Sequence, residues 1–262
     1  MALAQTHIFS DVLGMSTSLH VILPQATTAQ IGMVGERTAG DPPVLYLLHG
    51  LSDDDSIWLR RTSIERYAAD YGIAVVMPRV ERSFYQDMAH GEKYWTYLSQ
   101  ELPAIVAQLF RVSIRREDTF VAGLSMGGYG AMRLALAQPE RFAAAASLSG
   151  ALDMAHPRVR ADRADFFDNA FGDGEISGTE VDLLTLARQA DPATAPALMI
   201  ACGTEDDLYP MQGEFLNAAA ESGLAVATSF GPGEHEWGYW DERIQEVLAW
   251  LPLRHRLEGA GS

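Results

Sequence analysis

Short, wholly apolar runs alternate with helix-length amphipathic stretches along most of this 262-residue chain. That alternation constrains the fold more than any other feature. Residues 43–48, 73–77, 119–124, 142–148, 197–202 and 224–230 read as strands, and residues 13–23 carry strand-like spacing. A run that is apolar at every position needs cover on both faces, which is the condition of a strand inside a parallel sheet. Between the runs, residues 61–71, 94–110, 126–138, 211–221 and 241–250 have helical periodicity, several ended by Gly or Pro. The order predicts an α/β fold, a mostly parallel central sheet flanked by helices. We expect one domain over residues 1–262. Residues 153–196 break the rhythm and read as an insertion, either a lid over a pocket or an excursion packed at the sheet edge.

Charge narrows the function classes. The formal net charge is −16, and Lys93 is the only lysine. No basic stripe is present, so nucleic acid is not an expected partner, and an anionic membrane surface would repel the chain. The longest apolar runs are far short of the roughly 20 residues that span a bilayer. The N-terminus has neither a basic nor a long apolar segment, so no secretory signal is read and the cytoplasm is the expected compartment. Cys202 is the single cysteine, which excludes an internal disulfide. No metal-ligand spacing, Walker loop or dinucleotide fingerprint occurs, so no cofactor is expected. A homo-oligomer is compatible with these features.

The strongest chemical signal is Gly123-Leu-Ser125-Met-Gly127-Gly128, between an expected strand and an expected helix. That context suits a nucleophile elbow. Side chains at Gly123 or Gly127 would strike the neighbouring strand and helix, and the turn would hold the Ser125 hydroxyl at the positive end of a helix. A serine needs a base. Of the seven histidines, His7 and His255 lie near the termini, His20 in a strand, and His90 and His156 in connections; His49 reads as a structural support. His235 follows the last expected strand in a glycine-rich loop, where this fold presents its base. Glu205, Asp206 and Asp207 compete as the acid that orients it; loop position favours Asp206. Two backbone N–H groups should face the developing oxyanion, those of Met126, just after the serine, and Leu51, at the end of an early strand. Trp58, Trp237 and the Phe166/Phe167 pair are candidate substrate walls. Cys202, in an apolar strand, reads as inert packing.

Together these residues resemble the esterase D and S-formylglutathione hydrolase-like branch of the α/β-hydrolases, and most of all the bacterial tributyrin-esterase-type carboxylesterases. The stretches that carry the likeness are Leu47-Leu-His-Gly-Leu-Ser52 with Ser56-Ile-Trp-Leu-Arg-Arg61, Gly123-Leu-Ser-Met-Gly-Gly-Tyr-Gly-Ala131, Cys202-Gly-Thr-Glu-Asp206, and His235-Glu-Trp237 with Tyr239-Trp-Asp241; Phe84-Tyr-Gln-Asp-Met88 and Phe171-Gly-Asp173 add weaker similarity. The resemblance implies an α/β-hydrolase fold, nucleophile Ser125, acid Asp206, base His235, amides at Leu51 and Met126, and hydrolysis of short-chain carboxylic esters. A formylglutathione thioesterase, an acetyl or feruloyl esterase acting on plant polysaccharide, and an acyltransferase are alternatives within the enzymes. A catalytically silent binding scaffold is the alternative outside them. Asp53-Asp54-Asp55, close to Leu51, is expected to make the pocket mouth negative and to disfavour glutathione conjugates.

Overall fold

In a computed structural model, which describes residues 1–25, 29, 31, 40–161 and 164–253, the apolar runs become one sheet. Its strands are β1 (Ala2–Ser10), β2 (Met15–Leu23), β3 (Val44–Leu48), β4 (Ala74–Pro78), β5 (Thr119–Leu124), β6 (Ala144–Leu148), β7 (Ala197–Gly203) and β8 (Val226–Gly231), in the order β1-β2-β4-β3-β5-β6-β7-β8. Every pairing from β4 to β8 is parallel, while β2 runs antiparallel to both β1 and β4. The mostly parallel sheet expected from the sequence is therefore present.

Strand alternation sends side chains into two cores. Val44, Tyr46 and Leu48 face one, with Val121 and Ala145; Leu45 and Leu47 face the other, with Val75 and Phe120. The first core is covered by α4 (Leu102–Leu109), α5 (Met126–Ala137) and α9 (Tyr209–Ser222). The second is covered by α1 (Ile57–Arg61), α2 (Ile64–Tyr71) and α10 (Trp237–Trp250). Burial on both faces explains why these strands read as continuous apolar runs.

Several boundaries differ from the sequence reading, each for a local reason. β1 is an additional edge strand paired with β2 along its whole length, from Ala2 opposite Leu23 to Ser10 opposite Met15. Its apolar residues do not alternate onto the covered face: Leu3 and Phe9 are exposed, and Thr6 sits on the covered side. The expected helix at 61–71 begins only at Ile64 as α2, because Thr62 is extended, and Arg61 instead ends the separate short helix α1. The long helix at 94–110 runs as α3 (Tyr94–Thr96), a π-helical turn (Tyr97–Glu101) and α4. Pro103 has no N–H to return to the Ser99 carbonyl, and Arg141 Nη1 donates to that carbonyl instead. α10 begins at Trp237, four residues earlier than read, because Glu236 accepts from the Gly238 and Tyr239 amides. Residues 153–196 lie between β6 and β7 and hold α6 (Pro157–Ala161), α7 (Ala164–Phe171) and α8 (Leu183–Gln189). His255 and the tail 257–262 fall outside the described residues.

Candidate active site

Ser125 sits where β5 turns sharply into α5, with φ 54° and ψ −116°, a region non-glycine residues rarely adopt. The turn is held on both sides: Ser125 N donates to Leu148 O at 2.9 Å, and Ser125 O accepts from Tyr129 and Ala151. The flanking glycines are required by space. A Cβ at Gly123 would come within 2.4 Å of Gly127 O, and one at Gly127 within 2.5 Å of Leu48 O. Ser125 itself is almost wholly buried, and its hydroxyl stands at the positive end of the twelve-residue α5.

His235, in the loop after β8, brings Nε2 to 3.1 Å from Ser125 Oγ. Its Nδ1 lies 2.8 Å from Asp206 Oδ2, in the loop after β7. The other Asp206 oxygen accepts the Leu208 amide at 2.8 Å. Burial alone would raise the Asp206 pKa, but the His235 hydrogen bond and charge and the Leu208 amide outweigh it, so the carboxyl is held below its ordinary value. The two loops are locked together. Glu205 accepts the Gly233 amide at 2.6 Å, and a Cβ at Gly203 would come within 2.0 Å of Gly233 O. The imidazole is also packed edge-on by Trp240, ring centroids 4.9 Å apart.

The three competing acids separate cleanly in space. Asp206 has its side chain fully buried against His235; Asp207, with 94% of its side chain exposed, points away and pairs with Arg158 at 3.3 Å. Glu205 serves the loop backbone.

Leu51 and Met126 flank Ser125 in the same cavity. Met126 is the first residue of α5, so its N–H has no intrahelical acceptor. The Leu51 loop rests on His49. Val80 N donates to His49 Nε2 at 3.1 Å, so Nδ1 carries the proton and donates to Gly50 O at 2.7 Å. Burial lowers the His49 pKa and keeps it in this neutral, bridging form. The structural part read for His49 thus has a concrete geometry.

Two lobes meet at Ser125 and His235. One, about 520 Å³, has Phe84, Met126, Ala151, Val159 and Leu208 as apolar lining, with Arg158 and Asp207 also on its wall. The other, about 510 Å³, is lined by Asp53, Arg82, Phe166, Glu236, Trp237 and Trp240 among others. Residues 153–196 contribute to both, through Arg158 and Val159 in the first and Phe166 in the second. Phe167 and Phe171 dock this segment on Phe84, with centroids 6.2 and 5.6 Å away.

Two sequence expectations need correction. Trp58 does not wall the site: it is 1% exposed, donates Nε1–H to Leu48 O, and supports Trp237 edge-on at 5.3 Å. Phe167 is likewise buried, leaving Phe166 and Trp237 at the cavity. Nor do the three consecutive aspartates form a negative mouth. Asp55 is buried against His20 at 2.9 Å, Asp54 bonds Ser56 and Arg60, and only Asp53 lines the site. Sequence reading also missed Arg82 and Arg158, which line the two lobes; both lie far along the chain from Ser125, Asp206 and His235, and only the fold brings them near.

Cys202 is buried in β7, and its thiol is pushed up to about 12, first by burial and then by the Asp206 charge. Almost no thiolate exists near neutrality, so iodoacetamide should leave both the intact mass and the esterase rate of the native protein unchanged. Rapid alkylation of the folded enzyme at pH 7 would contradict this. Among the described residues no cluster of three metal-ligating side chains occurs, and no helix is long and apolar enough to cross a membrane.

The sheet order and the strand–serine–helix turn define an α/β-hydrolase. The family model described as "Putative esterase" matches residues 10–251, so the chain belongs to that esterase family, whose members include carboxylic ester hydrolases. An acetyl esterase of Caldicellulosiruptor saccharolyticus is 28% identical, over 96% of this chain and 98% of that protein. Two solved structures from Staphylococcus aureus align over nearly the full length. The fluorophosphonate-binding serine hydrolase FphF, with substrate bound, is 35% identical with a TM-score of 0.85, covering 95% of this chain and 98% of its own. The S-formylglutathione hydrolase FrmB, without ligand, is 34% identical with a TM-score of 0.82, covering 96% and 99%. The protein is a carboxylic ester hydrolase of the esterase D and formylglutathione hydrolase-like group.

Proposed function

We propose that the chain is a serine carboxylesterase that hydrolyses short-chain esters through an acyl-enzyme, with Ser125 as nucleophile, His235 as base and Asp206 as acid. The observation that carries this reading is the unbroken line Ser125 Oγ–His235–Asp206, with contacts of 3.1 and 2.8 Å. His235 takes the hydroxyl proton as Oγ attacks the ester carbonyl, then returns it to the leaving alcohol. Asp206, kept ionised, fixes the tautomer and stabilises the imidazolium. The Leu51 and Met126 amides hold the oxyanion. Water then repeats the sequence on the acyl-enzyme and frees the acid. In this reading the whole chain is one catalytic domain, and residues 153–196 are the insertion that shapes the mouth of the site.

The apolar lobe around Met126, Ala151, Val159 and Leu208 favours a small uncharged group. A second reading, thioester hydrolysis of S-formylglutathione, draws support from Arg82 and Arg158, which could meet the carboxylates of a glutathione conjugate, and from the likeness to FrmB. The net charge of −16 opposes the approach of such an anion. We expect kcat/KM to be highest for p-nitrophenyl acetate and butyrate, to fall with decanoate, and to exceed that for S-formylglutathione. A thioester value well above both short esters, at low and at high salt, would transfer the assignment to the thioesterase.

A further inference from the structure

The segment between β4 and α3 holds a feature that the triad does not use. Phe84 and Tyr85 are consecutive non-glycine residues with left-handed backbone, φ 49° and 56°. Such conformations persist only where surrounding contacts enforce them. Here the enforcement is a buried hydrogen-bond network. Arg133, on α5 and 4% exposed, donates Nη1 to Tyr85 O at 3.0 Å and to Gln86 Oε1 at 2.7 Å. Its guanidinium lies 3.9 Å from the centre of the Trp95 ring. Gln86 Nε2 donates to Tyr129 OH at 2.7 Å, and Tyr129 donates to Val181 O at 2.8 Å. The Tyr85 ring sits on Gly130, where a Cβ would come within 2.6 Å of it.

What this network delivers is one hydroxyl. Tyr85 is fully buried, and burial, then the nearby Asp53 charge, raises its pKa, so the phenol stays protonated and donates to His49 O at 2.8 Å. His49 O belongs to the residue just before Gly50-Leu51. The same loop is held at His49 Nε2 by Val80 and at Asp55 by His20 and Ser18. Those ties reach β2 and the chain following β4. The Tyr85 bond refers the loop to α5, the helix whose first residue is Met126, through Arg133 and Gly130, beside the direct packing of Gly127 on the Leu48 and His49 carbonyls. The two amides come from separate segments, and the Tyr85 hydrogen bond adds a directional tie to that contact.

We propose that Tyr85 is a positioning residue that sets the Leu51 amide against the Met126 amide. This rests on the reading of those two amides as the oxyanion hole. The test measures esterase kinetics beside two inhibitors. A short trifluoromethyl ketone accepts Ser125 Oγ at its carbonyl carbon; the hydroxyl proton goes to His235 and the carbonyl π pair becomes an oxyanion in the hole. The matching trifluoromethyl alcohol forms no adduct. Tyr85→Phe keeps the ring on Gly130 and removes only the hydroxyl. It should lower kcat and weaken the ketone in parallel, each about tenfold, a fraction of the 10²–10³ that follows loss of a whole donor. KM and the alcohol Ki should stay unchanged. Tyr97→Phe is the control: Tyr97 is equally buried, and its hydroxyl has no hydrogen-bond partner among the described residues. It should match wild type in all four quantities. Arg133→Lys, which loosens the Tyr85 carbonyl, should repeat the pattern at smaller size, and it decides the matter if Tyr85→Phe yields too little folded protein. Wild-type kcat and ketone affinity in the variants, with the ketone still far tighter than the alcohol, would overturn the part given to Tyr85 and leave the hole standing. A ketone no tighter than the alcohol on wild type would remove the hole itself, and this proposal with it.

Discussion

Ser125→Ala should lower kcat on a short p-nitrophenyl ester by roughly 10⁴-fold or more, because a nucleophile and its base act as a unit whose loss leaves only binding and oxyanion stabilisation. The fold should survive the change. The hydroxyl makes one side-chain bond, to His235 at 3.1 Å, while the turn is held by backbone bonds that alanine retains. The strained φ of 54° is a property of the turn and is imposed equally on alanine. A fluorophosphonate should add once to the wild-type chain, on the peptide containing Ser125, and not to the variant. Intact-mass labelling followed by peptide mapping measures both. Labelling at another serine, or a variant that keeps a tenth of the wild-type rate, would remove Ser125 from its role.

How far the sequence reveals this molecule follows from where its information is local. The sheet was legible because β3, β4, β5, β6 and β7 are buried on both faces or nearly so, and a doubly buried strand must be apolar throughout. The elbow was legible because Gly123 and Gly127 answer to contacts within a few residues or with the adjacent strand. β1 was not, since the alternation expected of an edge strand with one open face is broken, with Leu3 and Phe9 on the open face and Thr6 on the covered one. The start of α2 only after the extended Thr62, whose Oγ1 accepts the Ile64 amide, and the early start of α10, capped by Glu236, turn on single side chains that a periodicity reading passes over.

The site divides along the same line. Ser125, Asp206 and His235 stand at element ends whose order along the chain is diagnostic. Trp58 follows Leu51 closely along the chain and reads as a wall, yet it is buried, and Trp237 from the other end of the chain lines the cavity instead. The aspartate run 53–55 reads as one patch. His20, from β2, and Arg60 draw two of its members away, partners that sequence distance conceals. Arg82 and Arg158 reach the site across the fold, and no local spacing announces them; Tyr85 falls in a stretch of family likeness, but its contact with His49 O is visible only in the fold.

The second large effect concerns the acid. Asp206→Asn should reduce kcat by roughly 10³–10⁴, on the precedent of the acid in a serine-protease triad, whose amide leaves the geometry intact but presents the wrong tautomer to the serine. An asparagine side chain can offer its N–H₂ to His235 Nδ1, which places the imidazole proton on Nε2, facing Ser125 Oγ, where a base cannot accept. Asp207→Asn should change kcat less than about twofold, since it breaks only an exposed pair with Arg158, of a kind worth little. The pH dependence of stability distinguishes the two further. Asp206 has its carboxyl held below the ordinary value in the folded state. Its ionised form therefore stabilises the fold above the unfolded carboxylate range, and that contribution is lost as pH falls through the lowered folded value. The melting temperature of Asp206→Asn should lie furthest below wild type near neutrality and converge with it in acid, while Asp207→Asn, which breaks only an exposed pair, should melt close to wild type near neutrality. Equal turnover losses in the two variants, or a larger one in Asp207→Asn, would move the acid to the neighbouring position, against a geometry in which only Asp206 reaches His235.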